Sequence, residues 1–395
     1  MQSLSQSPTD AGFVQNPYPF YEKARASGPF FHWADYDLIC TTSASACNAI
    51  FRDRRFGREV PPELVQPIAP HTAPFYAVEA HSMLELEPPR HTRLRSLVLR
   101  AFTSRRIAAM QPEVENLSNA LIDAIPATGP FDLLDHFARP LPVIIIARLL
   151  GVPESMADQL LSWSNAMVGM YQAGRTRATE EAAARAATEF SEFMRGYVEE
   201  RRARPADDLI TQLIAAEMEG EKLSTDELIS TCILLLNAGH EATVHTIGNG
   251  VKLLLETQTP LAALDPDRVE GTVEEILRFD PSLHMFTRWA YEEIEVMGHH
   301  FQRGERVGLL LAAANRDPGV WDRPAKFLPA RPDKPNVSFG AGLHFCVGAP
   351  LARLELQTAL PILFRRLPGL ALNEPPRYAN LYHFHGLERL MVRAG

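Results

Sequence analysis

The chain has 395 residues, 46% of them hydrophobic and 22% charged, with a formal net charge of −9. This is globular composition with material for a large core, and the acidic balance excludes non-specific nucleic-acid binding. Four scattered cysteines (Cys40, Cys47, Cys232, Cys346) form no disulfide framework and fit a reducing compartment. No signal-peptide core follows Met1, and no apolar run reaches the roughly 18 residues of a membrane span, so a cytoplasmic protein is expected.

No linker, repeat or low-complexity run divides the chain, so residues 1–15 are expected to be flexible and 16–395 to form one domain. Asn16–Ala26 reads as a short helix, Phe30–Trp33 and Asp37–Thr41 as strands, and Ser43 as the cap of a helix through Phe51. Gly57–Ser82 is a long, Pro-rich loop, and loops of that length usually have a task. Pro88 and Pro89 then set up a helix on which His91 and Arg95 stand four apart, on one face, where both can donate to an anion. A solvated basic face explains the same pair.

Glu113–Ala124, Leu141–Leu150, Met156–Met170 and Thr179–Arg202 follow as helices. Ser224 with Glu227 forms a capping box opening a long helix to Leu255. Inside it, Ala238-Gly239-His240-Glu241-Ala242-Thr243 places a glycine and polar groups in an apolar helix, which needs compensation. Val273–Phe279 is a helix on which Glu275 and Arg278 can pair. Ser282–Arg288 looks extended, and Ile294–Met297 with Arg306–Leu311 suggests a small sheet.

The most informative stretch is Phe339-Gly340-Ala341-Gly342-Leu343-His344-Phe345-Cys346-Val347-Gly348-Ala349-Pro350, leading into a helix to Leu367 with Pro361 inside it, where a kink or break is expected. Pro350 suits a first helical position, so Cys346 lies at a helix N-terminus, where a thiolate is favoured. A thiolate on a Gly-rich loop reads as a metal ligand or a nucleophile. No second Cys or His stands at zinc spacing around it.

Phe339, Gly342, Cys346 and Gly348 in this spacing resemble the haem loop of the cytochrome P-450 family, in which a cysteine thiolate ligates the haem iron. Four more motifs agree in order: Pro-x-His-Thr-x-x-Arg at Pro89–Arg95, Ala238-Gly239-x-Glu241, Glu275-x-x-Arg278, and Asn315-Arg316-Asp317-Pro318. The resemblance covers about Asn16 to Arg393. It implies a mainly α fold with a small β-rich region, a single triangular cytochrome P-450 domain, binding haem b with the Cys346 thiolate as axial ligand to iron.

By the same resemblance His91, Arg95, Arg288 and His344 hold the haem propionates, with Phe339, Gly340, Gly348 and Gly239 also against the cofactor. Glu241 would relay protons. The family's next residue is threonine, whereas this chain has Ala242, and Thr243 lies one position on, about 100° around the helix. Leu235, Ala238, His284, Met285, Phe286, Tyr382, His383 and Phe384 are the expected substrate pocket. Glu275, Arg278 and Arg331 are expected to be structural.

The implied activity is a bacterial monooxygenase that inserts one atom of O2 into a small or medium-sized organic substrate. Electrons would come from a separate ferredoxin and an NAD(P)H-dependent reductase, to a monomer with neither membrane nor nucleic-acid partners. Arg105, Arg106, Arg353, Arg365 and Arg366 form a candidate docking patch. Ala242 keeps open a peroxide-using or non-redox haem-thiolate enzyme, and a haem sensor or carrier without turnover is the reading from another class.

Overall fold

A computed structural model describes all residues except Ala173, Glu219, Asp333, Lys334 and His383. Helices dominate it. The long helix Thr225–Glu256 starts at the capping box: the Ser224 hydroxyl accepts from the Glu227 N–H and the Glu227 carboxylate accepts from the Ser224 N–H. Helices Pro140–Leu150, Ala157–Val168, Arg177–Ala203, Val269–Phe279 and Ala349–Arg366 all pack on it. Leu228, Cys232, Leu236, Ile247 and Val251 are buried in that packing. Each fully buried Leu, Ile or Val there contributes about 1.5–3 kcal/mol.

The β-rich side is a six-stranded sheet in the order Ser3–Leu4, Phe31–Trp33, Leu38–Thr41, Arg306–Leu310, Met285–Ala290, Phe56–Gly57. Val307 stands opposite Arg288 in antiparallel register, which fixes the face on which Arg288 points. Residues 1–15, expected to be flexible, are built into this layer. Ser3 and Leu4 pair in parallel with His32 and Trp33, and Asp10 caps the helix Ala11–Gln15. Phe13 is the physical reason: it is 4% exposed and packs edge-on to Trp33 at 5.8 Å between ring centroids.

Two other expectations need adjusting. The Pro-rich loop after Gly57 contains the helix Ala73–Glu79, whose Phe75 and Val78 are buried. The helix Ala349–Arg366 runs unbroken through Pro361, because Leu356, Ala359, Leu360 and Leu363 around it are buried against neighbouring elements. Between Thr257 and Arg268 there is one tight helical turn, Leu261–Leu264. Among the described residues, no helix is long and apolar enough to cross a membrane.

Candidate active site

The Cys346 loop takes its shape from its glycines. Gly340 and Gly342 have φ of 67° and 70°, and a Cβ on Gly342 would strike the carbonyl oxygen of Phe51. The Cys346 N–H donates to the Phe339 carbonyl at 3.1 Å and closes the loop. The Phe339 ring lies under the Arg353 guanidinium, 4.7 Å from its centroid, and Arg353 is fixed by Glu274 at 2.5 Å.

Cys40, Cys47 and Cys232 are buried, whereas Cys346 is exposed. Even so, burial of its sulfur pushes the thiol up, outweighing the N–H groups of Gly348 and Ala349 and the charges of Arg95 and Arg353. Exposed area and strong desolvation are compatible only if the open surface faces a cleft. The helix N-terminus alone therefore does not ionise Cys346; a further positive centre at the sulfur would.

Beside this loop the structure collects basic groups that lack anions. His91 is 1% exposed, its Nδ1 has no hydrogen-bond partner among the described residues, and its ring lies 4.3 Å from that of His344. Burial, with His344 and Arg95 nearby, pushes His91 down to about 4. Arg288 is 3% exposed; burial and the charge of Arg58 lower it to about 9. It donates to its neighbour's carbonyl, Thr287 O, at 2.8 Å and stacks on Phe51 at 5.0 Å. Arg95 donates to the Phe345 carbonyl at 2.7 Å. Among the described residues, neither Arg95 nor Arg288 forms an ion pair with a carboxylate. His344 differs: its Nε2 is bonded to Glu87 at 2.9 Å, and Glu87 also accepts from the Arg58 N–H at 2.7 Å. A buried, unpartnered imidazole atom and two arginines without counter-ions fit a ligand that brings carboxylates, as haem propionates would.

The long helix presents one unusual face. Ala238 is exposed and Ala242 half-exposed, while Leu236 and His240 are each 1% exposed. Exposed alanine in the middle of a core helix means that this face borders open space inside the fold. Leu235, on the same helix face one turn before Ala238, is buried in the core. Gly239, expected against the cofactor, looks elsewhere: a Cβ there would lie 3.0 Å from Ile146 Cγ1, so this glycine serves helix–helix contact. Thr243 is buried and donates to the Gly239 carbonyl at 3.3 Å, away from the Ala238–Ala242 face.

Glu241 is buried, its Oε1 without a hydrogen-bond partner among the described residues, and it lies 3.6 Å from His240 Nε2 and 3.9 Å from His245 Nε2. Burial raises its carboxyl, but His240, His245 and Arg139 outweigh burial and hold it below the usual range, so it is ionised at neutral pH. Sequence reasoning missed both histidines. His245 had a signal, standing at i+4 from Glu241.

Several expected pocket residues lie elsewhere. His284 is fully buried, with Nδ1 on the Tyr21 hydroxyl at 2.9 Å. Tyr382 shares that hydroxyl at 2.9 Å and packs among Phe13 and Trp33, because an aromatic cluster takes up the N-terminal segment. Met285 packs against the same cluster, and Phe286 against Phe51. Phe384, by contrast, stays beside the long helix: it is half-buried, with its ring 6.0 Å from that of His245, and it is bridged to Leu283. His383 lies outside the described residues.

The predicted structural trio does come together. Arg278 grips Glu275 with two bonds of 2.7 and 2.8 Å, and Arg331 Nε reaches the same carboxylate at 3.0 Å. Arg278 also donates to the carbonyls of Asn315, Pro324 and Lys326. In the arginine patch, Arg106, Arg353, Arg365 and Arg366 each meet an acid, which reduces the free positive charge there.

Comparison with known proteins agrees with this geometry. The family described as Cytochrome P450 matches residues 66–265 and 269–371. The 6-deoxyerythronolide B hydroxylase of Saccharopolyspora erythraea is 42% identical over 74% of this chain and 72% of its own length. The vitamin D(3) 25-hydroxylase of Pseudonocardia autotrophica is 37% identical over 97% and 95%. Among solved structures, P450BioI in complex with an acyl carrier protein ligated to hexadec-9Z-enoic acid superposes with a TM-score of 0.93. It is 34% identical and covers 98% of this chain and 100% of that one. A family match across most of the chain, hydroxylases among the relatives and near-complete structural overlap lead to one conclusion: this chain belongs to the cytochrome P450 family and is a P450 monooxygenase.

Proposed function

We propose that Cys346 is the thiolate ligand of a haem b seated between the Cys346 loop and the Ala238–Ala242 face of the long helix. Bound there, the haem would supply dioxygen activation, with the thiolate favouring O–O cleavage. The family implies haem and cysteine ligation; the observation that carries the placement is the set of anion-less groups, His91, Arg95 and Arg288, beside an exposed yet desolvated cysteine. His91 donates through its free Nδ1, and the two arginines through their guanidinium forks. His344, held by Glu87, orients the cluster and contributes less as a direct ligand.

On the other side, Ala238 and Ala242 leave room for substrate, with Leu283 and Phe384 as apolar walls. These surfaces favour a small or medium-sized organic molecule that is largely apolar where it meets the site. Glu241, ionised and flanked by His240 and His245, holds and passes protons. A separate ferredoxin and reductase supply electrons.

The test is a ferrous-CO difference spectrum of the purified protein. A thiolate-type band that disappears in Cys346→Ala supports the reading; a band retained in that variant sinks it. The observation that Thr243 faces away from the Ala242 face favours a second reading, a haem-thiolate enzyme that uses peroxide and so needs no threonine-assisted proton delivery. Turnover with peroxide alone, and none with NADH, ferredoxin and reductase, would decide for it.

A further inference from the structure

Asp280, His284 and His385 sit away from the Cys346 loop, at the joint between the helix Val269–Phe279, the strand Met285–Ala290 and the last turn of the chain. They are 4%, 0% and 4% exposed. One ligand atom from each lies within 4.8 Å of the other two, and His385 Nε2 is 3.6 Å from Asp280 Oδ1. Tetrahedral coordination at about 2.0–2.1 Å requires separations near 3.4 Å, so modest side-chain rotation closes the set.

Two observations point to a missing occupant. Among the described residues, Asp280 Oδ1 and His284 Nε2 are buried side-chain atoms with no hydrogen-bond partner, and both belong to this cluster. The opposite atom of each is held. Asp280 Oδ2 accepts from the Tyr378 hydroxyl, and His284 Nδ1 meets the Tyr21 hydroxyl at 2.9 Å, which is itself tied to Tyr382 at 2.9 Å. With the ring proton assigned to Nδ1, Nε2 presents its lone pair to the cluster. Partners that orient a ligating imidazole and a ligating carboxylate from behind are the usual outer shell of a metal site. The backbone is also pinned: the His385 N–H donates to the Ser282 carbonyl at 2.7 Å, Asn249 donates to the His385 carbonyl at 2.9 Å, and Leu283 bridges Phe384.

Cations stand nearby but are otherwise engaged. Lys252 pairs with Glu256 at 3.0 Å, and Arg316 donates to the Phe279 carbonyl at 2.6 Å while its guanidinium lies over the Tyr18 ring. Neither supplies a partner to Oδ1. We propose that Asp280, His284 and His385 bind a divalent metal cation, zinc by ligand chemistry, as a structural clamp. Two imidazole nitrogens and one carboxylate oxygen suit zinc, whereas calcium and magnesium take oxygen ligands. The fourth position falls to a water. The clamp would tie the last turn, and with it Phe384, to the strand leading to Arg288.

The test uses tag-free, full-length, haem-loaded protein, incubated with zinc chloride and freed of excess by gel filtration. Zinc and iron are then measured together. Stoichiometric zinc, a zinc K-edge absorption spectrum with nitrogen and oxygen but no sulfur neighbours, and loss of that zinc in a His284→Asn/His385→Asn variant that still holds haem would support the site. Should that variant fail to fold, the wild-type stoichiometry and absorption spectrum decide. Only traces of zinc in the wild type, sulfur among its neighbours, or full zinc in the double variant would overturn it.

Discussion

The Thr243 hydroxyl donates to the Gly239 carbonyl one turn back, at 3.3 Å, and so turns away from the face that Ala242 exposes. Thr243 is therefore a helix residue satisfying itself, not a displaced copy of the family's threonine. Thr243→Ala is expected to change turnover less than about twofold and to cost about 1 kcal/mol of stability, the value of one ordinary hydrogen bond. Ala242→Thr, on the open face, should alter product formed per NADH consumed. Coupling measurements on both variants check this; a large loss confined to Thr243→Ala would refute it.

Arg288 makes a prediction of opposite sign in the two forms of the protein. It is buried without a carboxylate, and burial lowers it to about 9. An uncompensated buried charge is destabilising. Arg288→Met is expected to stabilise the haem-free chain against denaturant while weakening haem retention. Denaturation of apoprotein and haem transfer to a haem-scavenging protein measure the two effects. If both forms lose stability together, Arg288 is a plain structural cation.

Glu275 anchors both Arg278 and Arg331, and Arg278 is 1% exposed. Glu275→Ala leaves two buried guanidiniums without their acid, at a cost of about 3–5 kcal/mol. The expected result is a large drop in denaturation midpoint or in soluble yield. Loss of activity with unchanged stability would contradict the structural role.

Glu355 has both carboxylate oxygens buried without partners among the described residues, and burial raises it to about 8. The folded state thus binds this proton more tightly than the unfolded chain does. Its contribution is intact below the ordinary 4.5 and is lost as pH rises towards about 8. Glu355→Gln should remove that slope, so the stability of the variant relative to wild type grows across this interval by up to ~1.4 kcal/mol per pH unit. Paired denaturation curves at several pH values check it.

Much of the fold was legible because its signals are local. The Ser224 capping box, the Pro-started helices and the period of apolar residues predicted elements close to those observed. The Glu275 trio was legible too, since its spacing and the later arginine identify it. Local signals failed for the first fifteen residues, where distant aromatic packing decides, and at Pro361, where burial overrides the breaker.

Residue type and spacing by themselves determined that Cys346 is singled out and that His91 and Arg95 share a helix face, because both follow from the chain's own periodicity. Which way a side chain looks is set by packing between distant segments, so only the tertiary structure decided the rest. It turned Gly239 towards Ile146, gave His344 to Glu87, and withdrew His284 and Tyr382 from the expected pocket into the aromatic cluster. It also brought Asp280, His284 and His385 together from the end of a helix, the start of a strand and the last turn. No spacing rule spans the hundred or so residues between them; the pairing of Leu283 with Phe384 does.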